Sequence, residues 1–274
     1  MSKADSTPAP RAAVDRKESG RGVWCIVVAG GSGSRFGGLK QFEYLRDIRV
    51  IDRAVSTAAL SCEGIVVVLP GEYLESESAR FETADFHLAQ SGPAETQAAQ
   101  SETAGSEQTA GSEQTQAGSI RVVAGGDSRA GSVRAGLAAV PASATYVLVH
   151  DGARPLASYE LFNRVIGALR GGADAVVPAL TVADTLRWVE GGIVDRDAVR
   201  AVQTPQGFSA SVLREAHSKG GEATDDAGLV EQIGYTVVLV EGERLNFKLT
   251  EQLDLILAGS MIDSGALGRD PVNS

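Results

Sequence analysis

Apolar residues in this chain fall into short unbroken runs that alternate with stretches of helical spacing. The first run, "VWCIVVAG" (23–30), reads as a buried strand, and "RVIDRAVSTAALS" (49–61) follows with Ile51, Ala54, Val55 and Ala58 on one helical face. "IVVVLP" (65–70) is a continuous apolar run stopped by Pro70-Gly71, the pattern of a central parallel strand. "IRVVAGG" (120–126), "YVLVHDGARPL" (146–156), "ADAVVPAL" (173–180), "YTVVLVEG" and "RLNFKLT" read as further strands. Helices are expected at 128–140 and 158–170, in "TDDAGLVEQIG" (224–234), which has an N-cap and closes on Gly234, and from Thr250 to about Gly259. Strands alternating with helices predict an α/β fold, a mostly parallel, Rossmann-like twisted sheet with helices on both faces. The less regular stretch 181–208 is the place for an antiparallel excursion.

Composition adds boundaries. Residues 1–21 are polar, lack the apolar core of a secretory signal, and read as a disordered tail. Residues 89–119 are rich in Ala, Gly, Ser, Glu, Gln and Thr and repeat "TAGSEQ" at 103–108 and 109–114, so they read as a disordered insertion. One domain over 22–259, with a tail at 260–274, accounts for the rest. A net charge of −10 argues against a nucleic-acid or membrane-surface role, and no apolar run reaches the ~18 residues of a membrane helix. The two cysteines, Cys25 and Cys62, form no metal-ligand spacing and suit reduced thiols in a cytoplasmic protein.

The candidate chemistry begins at "VVAGGSGSRFGGLKQF" (27–42), a glycine loop after a strand. A dinucleotide fingerprint fails because Phe36 stands where its third glycine belongs, and the second strand closes on Leu69-Pro70-Gly71 without an acid. A P-loop fails because Lys40 is displaced and Gln41 follows it in place of a hydroxyl. What is left is a side-chain-poor backbone with two cations, Arg35 and Lys40, suited to a polyphosphate. Open α/β sheets bind ligands at the carboxyl ends of their strands. Four such ends carry polar groups: Gly30–Lys40, Gly125–Ser132, His150–Arg154 and Asn246–Lys248. If they adjoin, Arg35, Lys40, Arg154 and Lys248 make a basic cleft in an acidic protein.

"AGGSGSRFG…KQF", "GGDSRAGSVRAGL", "VLVHDGARPL", "DTLRWV", "DRDAVRAVQTPQGF", "TDDAGLVEQIG" and "VEGERLNFKLT" occur in order. Together they resemble the 2-C-methyl-D-erythritol 4-phosphate cytidylyltransferase family, from about residue 22 to 259 apart from the insertion. The resemblance implies a nucleotidyltransferase-type sheet with a protruding β-arm at about 181–203. It also implies transfer of CMP from CTP to methylerythritol phosphate, with release of pyrophosphate, in non-mevalonate isoprenoid precursor synthesis. Mg²⁺ is then expected, held largely by the CTP phosphates, with its protein ligands open. By the same resemblance Arg35, Lys40, Arg196 and Lys248 are catalytic. Ala29, Gly30, Gly31, Gly33, Gly126, Asp127 and Ser132 bind CTP. Asp151, Gly152 and Arg154 contact ribose or the acceptor hydroxyls, and Thr185, Thr204 and Thr224 contact the acceptor.

Thr185 and Arg196 lie in the arm and would serve a neighbouring site, which implies a homodimer. Read without the resemblance, Arg196 better suits a surface pair with Asp195 or Asp197. The chain departs from the family pattern at Leu39, where proline is usual, in a shortened interval from Arg35 to Lys40, and at Gly152, where alanine is usual. A ribitol 5-phosphate cytidylyltransferase and a non-catalytic nucleotide-binding module are the alternatives that the sequence leaves open.

Overall fold

Side chains of a strand alternate between two faces, so a strand buried on both faces reads as one apolar run. In β1 (Val23–Val28), Val23, Cys25 and Val27 enter one core layer while Trp24 and Ile26 enter the other. β4 (Gly64–Leu69) divides in the same way. The first layer receives α1 (Val50–Ser61) and α4 (Tyr159–Arg170) through Ile51, Val55, Leu161, Phe162 and Val165. The second receives α3 (Arg129–Ala139), α5 (Ala210–Ser218) and α6 (Asp226–Gln232). Gly136 of α3 is required by this packing, since a Cβ there would lie 2.5 Å from Ile26 Cγ2. The structure, a computed structural model, describes residues 20–31, 36–81, 119–221 and 223–266. Nearly all of the expected N-terminal tail and of the 89–119 insertion, as well as Gly33 and Arg35, lie outside the described residues.

The remaining elements are β2 (Tyr44–Leu45), β3 (Ile48–Arg49), α2 (Leu74–Phe81), β5 (Ser119–Ala124), β6 (Tyr146–Asp151), β7 (Ala175–Thr181), β8 (Arg200–Val202), β9 (Gln206–Ser209), β10 (Val237–Glu241) and α7 (Gln252–Asp263). The main sheet runs β10-β7-β9-β6-β1-β4-β5, with β8 on β7. β1, β4, β5 and β6 pair in parallel, as do β7 and β10. β9 is antiparallel to both β6 and β7. Its amino end therefore lies beside the carboxyl ends of its neighbours, which delivers Thr204 to the edge where β6 ends.

Two expectations fail locally. "RLNFKLT" (244–250) forms no strand. Its alternation instead reflects single anchors: Asn246 and Leu249 are buried, and Leu249 N–H donates to the Ala153 carbonyl at 2.8 Å. The last helix begins after the Glu251 cap and continues past Gly259 to Asp263, rather than opening at Thr250 and stopping near Gly259. Gly259 is no helix end, because the Arg46 guanidinium packs against it; an added Cβ would lie 2.9 Å from Arg46 Nη2. Arg46 also pairs with Asp263. The short β2–β3 hairpin that carries Arg46, at φ 61°, has no counterpart in the apolar pattern.

Candidate functional site

β1 gives way to Ala29-Gly30-Gly31 at the carboxyl edge, and Ala29 N–H still donates to the Val68 carbonyl at 2.8 Å. The loop returns through a short 3-10 turn, Lys40–Phe42. Buried Gln41 closes it, with Nε2 donating to the carbonyls of Ala29 at 2.9 Å and Gly31 at 3.4 Å. Just before the turn, Leu39 sits at φ −79° and ψ 78°, and Lys40 N–H bonds the Gly38 carbonyl at 3.0 Å. This is an inverse γ-turn, and its φ lies within the range a proline ring imposes. Leu39 thus reaches by hydrogen bonding a conformation close to the one proline would enforce. Farther along, Gln252 Nε2 donates to the Phe36 carbonyl at 3.2 Å, joining this loop to the segment that carries Lys248.

The second strand end is Ala124-Gly125-Gly126. Gly125 N–H donates to the Leu69 carbonyl at 2.7 Å. A Cβ on Gly125 would lie 2.9 Å from Ser132 Oγ, so any larger residue would push the Ser132 hydroxyl aside where the chain passes over the first turn of α3. Ser128 caps α3 by accepting from Gly131 N–H at 3.0 Å, and Ser132 Oγ donates to the Gly126 carbonyl at 3.3 Å. Gly126 and Asp127 are exposed here while Ser132 is buried.

At the third end, β6 delivers buried His150 and Asp151. Thr204 Oγ1 accepts from Asp151 N–H at 3.0 Å and lies 3.1 Å from His150 Nδ1. His150 Nε2 lies 3.3 Å from the Arg154 carbonyl. A carbonyl only accepts, so Nε2 carries the proton; Nδ1 then accepts from the Thr204 hydroxyl. The result is a relay from Asp151 through Thr204 and His150 to Arg154. Burial pushes the His150 pKa down to about 4, with Asp151 opposing and Arg154 adding to the shift, so the ring is neutral near pH 7.

The Asp151 carboxylate meets Lys248 Nζ at 2.9 Å and Arg154 Nε at 3.5 Å. Burial alone would raise its pKa, but Lys248, Arg154 and Arg129 outweigh burial and hold it at about 2. Burial lowers the pKa of Arg154, with Asp151 opposing. Arg154 Nη1 donates to the Asn246 carbonyl at 2.7 Å, and Gln203 Nε2 reaches the carbonyls of Glu243 at 2.8 Å and Asn246 at 3.2 Å. Asn246 Nδ2 returns a bond to the Thr204 carbonyl at 2.9 Å. These amides hold the loop before Lys248 in place of a strand ladder.

Of the sequence candidates, Ala29, Gly30, Ser132, Asp151, Gly152, Arg154, Thr204 and Lys248 therefore adjoin one edge. Gly152 N–H donates to the Val28 carbonyl at 2.9 Å, and a Cβ there would lie 3.0 Å from Ala29 Cβ, so the β1 and β6 ends touch. Thr224 is exposed beside Asp225, the N-cap of α6, which accepts from Gly228 N–H and from Gln206 Nε2, the latter at 2.7 Å. Thr185 and Arg196 lie elsewhere, in exposed chain between β7 and β8. Arg196 Nη1 donates to the Ala183 carbonyl at 3.0 Å, not to the neighbouring carboxylates, and Asp195 instead accepts from Asp197 N–H. Sequence reasoning passed over Gln41, Arg129, Gln203, Gln206 and Asp226. Their one readable sign is polarity inside or beside apolar runs.

Among the described residues no cluster of three or more His, Cys, Asp or Glu side chains can hold a metal, and no helix is long and apolar enough to cross a membrane.

Residues 94–264 match the model of the 2-C-methyl-D-erythritol 4-phosphate cytidylyltransferase family, and residues 25–116 match a MobA-like NTP transferase domain. A protein of the former name from Nocardia farcinica is 53% identical over 152 residues, covering 54% of this chain and 66% of that protein. One from Rhodococcus opacus is 52% identical over 155 residues, covering 54% of this chain and 68% of its own length. The matched segments thus span about two thirds of these relatives. The crystal structure of 2-C-methyl-D-erythritol 4-phosphate cytidylyltransferase from Thermus thermophilus superposes with a TM-score of 0.62 at 32% identity, covering 87% of this chain and 98% of that one. The expected fold class, a mostly parallel α/β sheet of nucleotidyltransferase type, is the one observed. The chain belongs to the 2-C-methyl-D-erythritol 4-phosphate cytidylyltransferase family.

Proposed function

We propose that this protein transfers the cytidylyl group of CTP to 2-C-methyl-D-erythritol 4-phosphate, forming the diphosphocytidyl alcohol and pyrophosphate. The observation that carries this reading is the meeting of the glycine loop, the Gly125–Ser132 loop and the Asp151–Arg154–Lys248 cluster at one sheet edge. In the reaction an acceptor phosphate oxygen forms a bond to the α-phosphorus of CTP. The α–β bridging bond breaks, and its electron pair leaves on pyrophosphate. The nucleophile is anionic near neutral pH, so no general base is needed, and neutral, enclosed His150 supplies none. The barrier is anion repulsion and the charge that builds on phosphoryl oxygens, which favours placed cations over acid–base groups.

Lys40, and Arg35 by sequence, face the triphosphate; Ala29, Gly30, Gly31 and, by sequence, Gly33 admit it along the backbone. Gly126, Asp127 and Ser132 receive the cytidine. Lys248 holds the acceptor phosphate, and Asp151, Gly152, Arg154 and Thr224 receive the polyol and ribose hydroxyls. Arg154, whose Nε lies 3.5 Å from the Asp151 carboxylate, suits such a hydroxyl. The Thr204 hydroxyl is already engaged twice and acts by fixing Asp151. A divalent ion, Mg²⁺ in this reading, fits as a partner of the triphosphate oxygens rather than of a protein cage, since Asp151 is occupied by cations and no acidic cluster among the described residues adjoins it. When bound it would screen the triphosphate charge.

The arm between β7 and β8 exposes Trp188 at 61%, Val189 at 100% and Ile193 at 65%. An isolated arm has nothing of its own to cover these side chains, which favours a second copy of the chain as their partner, with Thr185 and Arg196 reaching the neighbouring site. The deciding experiment is pyrophosphate release from CTP with methylerythritol phosphate and, separately, ribitol 5-phosphate. Release with the first acceptor is expected. Release only with the second, or CTP binding with no release, would overturn the reading.

A further inference from the structure

Two loops at this edge, 97 residues apart in sequence, are joined by one ion pair. Arg129 opens α3 and donates from Nη1 to Asp226 Oδ2 at 2.7 Å; Asp226 opens α6. Asp226 is fully buried, and His217 Nε2 meets its other oxygen at 3.0 Å. Helix capping does not explain the pair. Ser128 and Asp225 already satisfy the Gly131 and Gly228 N–H groups. Stability does not require it either, because a buried ion pair is often no better than apolar packing of the same volume; fixed registry is its best-attested use. What Arg129 and Asp226 hold in registry is specific. The residues before Arg129 form the loop with Gly126 and Asp127, and those before Asp226 form the turn with Thr224. Gln206 ties that same turn to β9, two residues beyond Thr204, by bonds to Asp225 and to Ala227 N–H.

We propose that Arg129 and Asp226 are positioning residues that lock the nucleoside-facing loop to the acceptor-facing turn, so that binding of either substrate orders the site for the other. This rests on the assignment of those two segments to CTP and to methylerythritol phosphate. Neither residue touches the reacting atoms. Each acts through the backbone beside it, so the pair couples two binding events rather than strengthening one.

The test is calorimetric binding of a CTP analogue carrying a methylene bridge between its α and β phosphorus atoms, with and without methylerythritol phosphate. Wild-type protein is expected to bind the analogue at least about fivefold more tightly when the acceptor is present, within the usual range of coupling between sites. In Arg129→Gln and Asp226→Asn the factor is expected to fall below about twofold. Arg129→Lys, which keeps a cation opposite Asp226, is expected to regain most of it. A merely structural pair would lower the melting temperature and leave the coupling intact. Wild-type coupling below about twofold, or wild-type coupling retained in Asp226→Asn, overturns the proposal. Asp226→Asn keeps the side-chain shape and decides the matter if Arg129→Gln does not fold. The underlying assignment fails in a different way: wild-type protein would then release no pyrophosphate from CTP and the acceptor.

Discussion

Replacing His150 with asparagine gives a prediction whose size follows from the relay at the end of β6. The ring is enclosed and neutral, with a pKa of about 4 in the folded protein against an ordinary 6.5. Between those two values the unfolded chain holds a proton that the folded chain does not. Stability therefore rises with pH across this window and falls as the solution is acidified through it. At about 1.4 kcal/mol per pH unit, His150 alone withdraws about 3 kcal/mol between pH 7 and pH 4. Asp151, held at about 2, stays ionised throughout and does not obscure the comparison.

In His150→Asn the amide oxygen takes over the bond from the Thr204 hydroxyl, but the Arg154 carbonyl loses the imidazole and keeps only the long bond from Ala157 N–H at 3.5 Å. Losing that bond costs about 0.5–1.5 kcal/mol at pH 7. The variant is thus expected to be less stable than wild type at pH 7, and the difference is expected to move by about 3 kcal/mol in its favour at pH 4, where the acid-sensitive ring is gone, so that the order reverses. Urea unfolding at the two pH values, with unchanged m, measures both free energies. A deficit that is equal at pH 7 and pH 4, or larger at pH 4, would refute the enclosed neutral ring.

Lys40→Ala is expected to lower kcat by about 10²-fold or more with little change in the acceptor KM, read by pyrophosphate release. Lys248→Ala should instead raise the acceptor KM by about 10-fold or more, because a charge-assisted bond to phosphate is lost; unchanged kinetics in both variants would refute the site. In Leu39→Pro the ring fits the existing φ of −79° and displaces no hydrogen bond among the described residues, so thermal unfolding is expected to show a gain of about 0.4–1 kcal/mol. Trp188→Glu is expected to shift the chain from dimer to monomer in sedimentation velocity and to reduce turnover in the same preparation. A monomeric wild type, or a dimer unaffected by the change, would refute the arm assignment.

Most of the sheet was legible because strands buried on both faces leave unbroken apolar runs, and because their carboxyl ends carry glycine pairs or charged residues. Legibility ended where a segment's conformation depends on partners distant in sequence. "RLNFKLT" alternates like a strand, yet Asn246 and Leu249 are held by residues from Ala153 to Thr204. Gly259 looks like a helix end until Arg46, more than two hundred residues earlier, is placed against it. Arg129 and Asp226 each read as ordinary first-turn residues. Nothing in their local spacing announces that they meet. The cations proposed for the site rest on resemblance together with their position at strand ends. The amides that brace the surrounding loops, Gln41, Gln203 and Gln206, became visible only with the fold.

The reversed strands β8 and β9 have a mechanical consequence. β8 ends at Val202 and β9 begins at Gln206, so the arm enters the site through a connection only a few residues long. Gln203 in that connection holds the loop before Lys248, and Thr204 holds the Asp151 N–H. A pull on the arm therefore arrives at the residues that hold the Asp151 and Lys248 segments within one or two peptide units, by covalent bonds rather than through the core. Whatever grips the arm has a hand on the tiller of the site.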